Sequence, residues 1–128
     1  MQPILLVAVG GSVGSVLRYL TGVQATRMLG TGWPYGIFAV NLIGGLLMGV
    51  LVGVLAFRGG ADQEKWRLLL GVGVLGGYTT FSSFSLDVVL MIERKAWGQA
   101  VLYSLGSVVL CVAALMLGLF ITRRMLAA

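Results

Sequence analysis

Ten consecutive residues hold most of this chain's capacity for chemistry: Gly76-Gly77-Tyr78-Thr79-Thr80-Phe81-Ser82-Ser83-Phe84-Ser85. The aliphatic hydroxyls of Thr79, Thr80, Ser82, Ser83 and Ser85 crowd the second half of a charge-free run, residues 68–86. A helix of that length spans a bilayer. Polar groups at membrane depth are costly unless they pair, face a bundle interior or line a water-filled path. Two glycines followed by two threonines also predict a helix break. Such a break frees backbone carbonyls and is tolerated in a membrane only where protein or water satisfies them. The stretch reads as the wall of a polar path or an ion site.

Phe81 and Phe84 are three residues apart and so share a face just after the break. An aromatic ring has a negative face and a positive edge. Presented edge-on, it favours an anion without the tight hold of a full cation, and conduction requires release as well as entry. Two packed rings would also explain the pair, but their interleaving with Ser82, Ser83 and Ser85 favours a pore. Asn41 is the only amide of its apolar segment and offers two N–H donors and an acceptor. It is either interhelical glue or a donor for a passing anion. Arg18 either snorkels to the interface or serves a helix end or an anion vestibule. Asp87 could pair with a cation, cap a chain end or contact a vestibule. Tyr103 is an interfacial anchor or a group on a polar path, with Ser107 one turn further on.

The elements that must position these groups are four membrane spans. The charge-free runs are residues 1–17, 28–57, 68–86 and 96–122. They predict spans at 4–20, 35–57, 66–91 and 98–122, the third interrupted near 76–80. The expected fold is an all-α membrane protein forming one domain over residues 1–128. Gly10 and Gly14, and the row Gly45, Gly49 and Gly53, give smooth faces for close helix approach in lipid. Trp33 and Trp97 suit the interface, and Pro34 suits the first turn of span two. Asp62 is expected as an N-cap where the third span begins.

Composition excludes several function classes. Apolar residues make up 59% of the chain and charged residues 10%, far from the soluble balance. No soluble domain is left over for separate work. The first apolar run lacks a basic lead-in and reads as a span, not a signal peptide. The chain has no histidine and a single cysteine, Cys111, so a histidine-based metal site and an intrachain disulfide are out. No nucleophile–base pair is visible, so the chain is not read as an enzyme. The net charge of +5 comes from cations scattered at span ends, which suits lipid headgroups and not nucleic acid.

Charge sets orientation only weakly. One side of a four-span chain holds Arg58, Lys65, Arg67, Arg123 and Arg124; the other holds Arg27, Arg94 and Lys95, with Arg18 as a fourth if it is counted. Such a balance allows insertion both ways and hence an antiparallel dimer. Four short spans are a thin wall for a pore, so a homo-oligomer is expected. Near a twofold axis, the carbonyls of a broken third span could hold a hard cation.

Taken together, these residues resemble the Fluc (CrcB) family of bacterial fluoride channels. The resemblance is carried by Gly10-Gly11, Gly14 and Arg18, by Val40-Asn41-Leu42 with Gly44, and by the whole stretch from Gly76 to Ser85. It implies an antiparallel dual-topology homodimer in the bacterial inner membrane, with two fluoride pores that passively export cytoplasmic fluoride. It further implies that Asn41 is the pore asparagine and that Phe81 and Phe84 are the edge-on rings. Ser82, Ser83 and Ser85, with Thr80 just before them, match the hydroxyl track. Tyr103 matches a pore-facing polar aromatic, and Arg18 a vestibule arginine. The backbone carbonyls of Gly76 and Thr79 match a central structural sodium site. Two positions depart from the family pattern: Asp87 replaces the usual Glu, and Tyr78 stands where an aliphatic residue is common. The rival readings are a small multidrug exporter and a non-conducting membrane scaffold. The exporter needs a carboxylate in span one, and residues 4–20 contain no Asp or Glu. The scaffold leaves the hydroxyl and phenylalanine cluster unexplained.

Overall fold

The computed structural model describes residues 2–58 and 60–127. Its helices are α1 (Gln2–Leu29), α2 (Tyr35–Arg58), the short α3 (Gln63–Trp66) and α4 (Gly76–Tyr78), then α5 (Ser82–Glu93) and α6 (Trp97–Ala127). A π-helical run, Arg67–Leu75, joins α3 to α4. Among the described residues, four stretches are long and apolar enough to cross a bilayer: Gln2–Leu29, Tyr35–Arg58, Gly60–Glu93 and Trp97–Ala127.

The first span is longer than its charge-free run. Nothing between Leu20 and Leu29 breaks the helix, so α1 takes in most of the expected connection. It stops at Gly30, whose φ of 85° is left-handed and whose N–H bonds to the Thr26 carbonyl at 2.9 Å. At 28 residues, α1 is about 42 Å long, more than the ~30 Å hydrocarbon core. Arg18 therefore lies within the helix and not near its end.

In lipid, apolar burial between helices drives little, because the tails are as apolar as the side chains. Close backbone packing takes over. The α2 glycine row lies against α6 of the same chain. A Cβ on Gly49 would run into the Leu115 carbonyl, and one on Gly45 would stand 2.9 Å from the Cys111 carbonyl. On the other side of the bundle, a Cβ on Gly14 would strike the Val74 carbonyl in the π-helical run. The third span is thus held against α1 along its first half.

Its second half leaves that helical course. Thr79 is extended, at φ −86° and ψ 160°, and α5 begins at Ser82. The break falls at 79–81, slightly later than the double glycine suggested. Gly76 and Gly77 remain helical. At Gly77 the missing Cβ serves packing, since one built there would stand 2.6 Å from the Gly11 carbonyl. Asp62 does occupy the N-cap position of α3, but its side chain makes no capping bond.

The α5 arm packs on α6 around buried Phe84, Met91, Ala100 and Tyr103. Trp33 joins this cluster edge-on to Tyr103, with ring centroids 5.1 Å apart. It is an aromatic wedge between elements as well as a half-buried span-end residue.

Candidate functional site

The break is held open by one side chain. The Nδ2–H of Asn41, on α2, donates to the Thr80 carbonyl at 3.0 Å, and its Oδ1 accepts the Thr80 N–H at 2.9 Å. The amide thus replaces both backbone partners that Thr80 lacks outside a helix. One of the two Nδ2 hydrogens is used; the other has no partner among the described residues. Of the two roles open to Asn41, the structure shows the interhelical bond.

Thr80 then starts the next helix. Its Oγ1 accepts the Ser83 N–H at 3.2 Å, as an N-cap hydroxyl does, and lies 3.4 Å from Ser82 Oγ. The Thr79 hydroxyl turns back onto the Leu75 carbonyl at 2.9 Å, and the Ser85 hydroxyl onto the Phe81 carbonyl at 2.9 Å. Two of the five hydroxyls are thereby tied to the preceding turn, an arrangement that lets them sit at membrane depth.

These bonds also free particular carbonyls. In a continuous helix the Gly76 carbonyl would accept from the N–H of Thr80, and that of Thr79 from Ser83. Here the first N–H goes to Asn41 and the second to the Thr80 hydroxyl. Gly76 and Thr79 therefore carry backbone oxygens without their helical donors. Hard cations such as sodium take oxygen ligands, so the donor set fits the ion that the resemblance implies.

A cleft of about 480 Å³ opens beside the break. Asn41, Thr80, Phe81 and Phe84 line it, together with Gly76 and Thr79. The far wall is α6, which contributes Ser107 and Cys111. Ser107 is only 5% exposed, and its Oγ has no hydrogen-bond partner among the described residues. Phe81 is 76% exposed, whereas Phe84 is buried. Their centroids are 5.6 Å apart with the planes inclined at 42°.

A second cleft, of about 730 Å³, gathers Arg18, Arg27, Ser83 and Asp87 with Trp33 and Tyr35. Arg18 and Ser83 share this space although they are 65 positions apart in the chain. The linings of the two clefts include neither Ser82 nor Ser85. Tyr103 is fully buried behind Phe84, with centroids 5.0 Å apart, and its hydroxyl donates to Asp87 Oδ2 at 3.1 Å. It is not an interfacial anchor, and Asp87 accepts from an α6 side chain.

Sequence reasoning gave Tyr78 no role. Its hydroxyl lies 2.9 Å from Thr21 Oγ1, and the Thr21 proton is already given to the Leu17 carbonyl at 2.9 Å. Tyr78 is therefore the donor, and the pair pins α4 to α1 immediately before the break. Tyr78→Phe is expected to lower the unfolding free energy by about 1 kcal/mol. Chemical denaturation in detergent reads this, and an unchanged midpoint would remove the pin from the account. Ser107 was visible only as a serine one turn after Tyr103, and Cys111 continues that spacing by one more turn.

Comparison with known proteins bears on the whole of this arrangement. The family described as "CrcB-like protein, Camphor Resistance (CrcB)" matches residues 5–119. A relative from Phenylobacterium zucineum (strain HLK1), named "Fluoride-specific ion channel FluC", is 67% identical over 99% of this chain and 100% of its own length. Proteins of the same name from Caulobacter sp. (strain K31) and Caulobacter vibrioides (strain NA1000 / CB15N) are 63% and 59% identical. They align over 97% and 99% of this chain and over 97% and 100% of their own lengths. With four bilayer-length spans and family similarity along nearly all of its length, the chain is a multi-pass membrane protein belonging to the CrcB-like family.

Proposed function

We propose that this chain is a fluoride-selective channel of the bacterial inner membrane, passively exporting cytoplasmic fluoride. The observation that carries the reading is the cleft at the break, where an amide, hydroxyls and two phenyl rings meet without a lysine or arginine in the lining. The relatives named as fluoride-specific channels point the same way.

Fluoride is small and strongly hydrated, so its dehydration is the main barrier. A path of several weak donors replaces water stepwise and still allows exit. In this reading the second Asn41 N–H, the Thr80 and Ser83 hydroxyls and the edges of Phe81 and Phe84 take turns at the ion, while Ser82 and Ser85, which line neither cleft, join the track when their side chains turn towards it. Arg18 gathers anions in the vestibule beside Ser83. Tyr103 acts from behind Phe84, holding that ring and the Asp87 carboxylate in place.

The working unit of this proposal is an antiparallel dual-topology homodimer with two pores. The near-balanced loop charge supports it, as does the exposure of Phe81, a large ring left uncovered on a face of the single chain. The Gly76 and Thr79 carbonyls, two from each copy, would hold a structural sodium ion. Bound there, the ion would offset the negative ends of those carbonyl dipoles and would stay in place as a structural element.

The test is efflux from liposomes loaded with fluoride and, in parallel, with chloride. Fluoride should leave rapidly while chloride stays. Equal retention of both by correctly folded protein would end the channel reading.

A further inference from the structure

The α6 wall of the cleft carries a thiol that the conduction scheme above does not use. Cys111 is the chain's only cysteine and lines the same cleft as Asn41, Phe81 and Phe84. Ser107 lies one helical turn before it on the same face, with a buried hydroxyl oxygen that has no partner among the described residues. Buried polar atoms are almost always paired, so an unpaired one on a residue of the cleft wall marks a place where a small turn of the side chain would let something else bind. A cysteine and a serine one turn apart, at membrane depth and both in the wall of one cleft, offer a sulfur and, once the serine side chain turns, an oxygen to the same space.

We propose that Cys111 and Ser107 form a binding site for soft, thiophilic cations in the wall of the ion path, through which such cations block conduction. This rests on the channel reading above. Silver is the natural probe. Soft thiolate sulfur selects soft monovalent metals, and the bare ion is small enough for a cleft of this size. In the binding step the Cys111 S–H bond breaks, an S–Ag bond forms and the proton leaves to water. The Ser107 oxygen adds a lone pair. The released proton offsets the charge of the metal, so the silver thiolate is neutral and blocks conduction by filling the cleft that fluoride would cross.

Two readouts test this in chloride-free nitrate buffer. The first is protection: silver added to the purified protein should slow alkylation of Cys111 by N-ethylmaleimide, as followed by intact mass. The second is flux: micromolar silver should cut liposome fluoride efflux by at least roughly tenfold, with recovery on adding excess dithiothreitol. Each variant is compared with itself, with and without silver. Cys111→Ser, or Cys111→Ala if the first folds poorly, should lose the sensitivity whatever its own basal rate. Absence of protection overturns the site. Protection with silver-insensitive efflux overturns its place on the path. Equal silver block in wild type and variant assigns the block to another group and overturns the proposal. Absence of fluoride efflux before silver is added overturns the channel reading instead, and the protection experiment then decides the site by itself.

Discussion

Asn41→Asp is expected to cut fluoride efflux roughly a thousandfold at neutral pH while the protein still elutes as a folded species. Two effects add. The carboxylate only accepts hydrogen bonds, so it cannot donate to the Thr80 carbonyl as the Asn41 amide does at 3.0 Å. Leaving that part-buried oxygen unpaired costs about 1–3 kcal/mol and loosens the break. The larger effect acts on the ion. A negative charge about 4 Å from a passing anion raises its energy by about 4 kcal/mol at an effective dielectric constant of 20. At about 1.4 kcal/mol per tenfold, that is close to three decades of rate. The other half of the latch, Oδ1 accepting the Thr80 N–H at 2.9 Å, survives the substitution, so the fold should persist. Near-normal efflux from folded Asn41→Asp would show that Asn41 is a latch alone and does not face the ion. Loss of folding without a path effect would appear as aggregation on the sizing column before any flux is measured.

This latch shows where sequence reading stops. The need for a partner was legible: one amide in an apolar span must bond to something. The identity of the partner was not, because Thr80 is 39 residues away and its N–H and C=O are free only through the break. The spans themselves were easy to read, since long charge-free runs have no other stable home. Their ends were not. Residues 21–29 are polar enough to resemble a loop, yet nothing in them stops a helix until Gly30. The π-helical run over Arg67–Leu75 left no mark in the sequence that a plain helix would not also leave. Its course goes with backbone contact against Gly10 and Gly14, which is a fact about two segments together. Ser82, Ser83 and Ser85 looked equivalent along the chain. Helical rotation separates them: Ser83 joins Arg18 in one cleft, while Ser85 bonds back to its own helix. Hydroxyl content was readable from composition; which hydroxyl faces which space was not.

The same rotation separates the two phenylalanines, and this makes their replacement the second strong test. Phe81→Ile and Phe84→Ile should each reduce fluoride efflux by roughly two- to tenfold, since a well-placed ring quadrupole contributes about 0.5–1.5 kcal/mol and an aliphatic side chain has no polar edge. If the two rings act in successive steps, the double variant should lose no more than the slower single. If both act on one ion position, the losses should multiply. Their effects on stability should diverge. Phe81 is 76% exposed on the single chain, and among the described residues its one aromatic neighbour is the tilted ring of Phe84, so Ile there removes little intrachain packing. Phe84 is wedged against Tyr103 at 5.0 Å within the buried α5–α6 cluster, and its loss should lower stability by about 1–2 kcal/mol. A flux defect in Phe81→Ile with unchanged stability therefore cannot be attributed to damaged packing and would place that ring at the ion. Normal flux in both variants would reduce the pair to packing groups. The aromatic residues would then be scaffold, and selectivity would have to come from Asn41 and the hydroxyls alone.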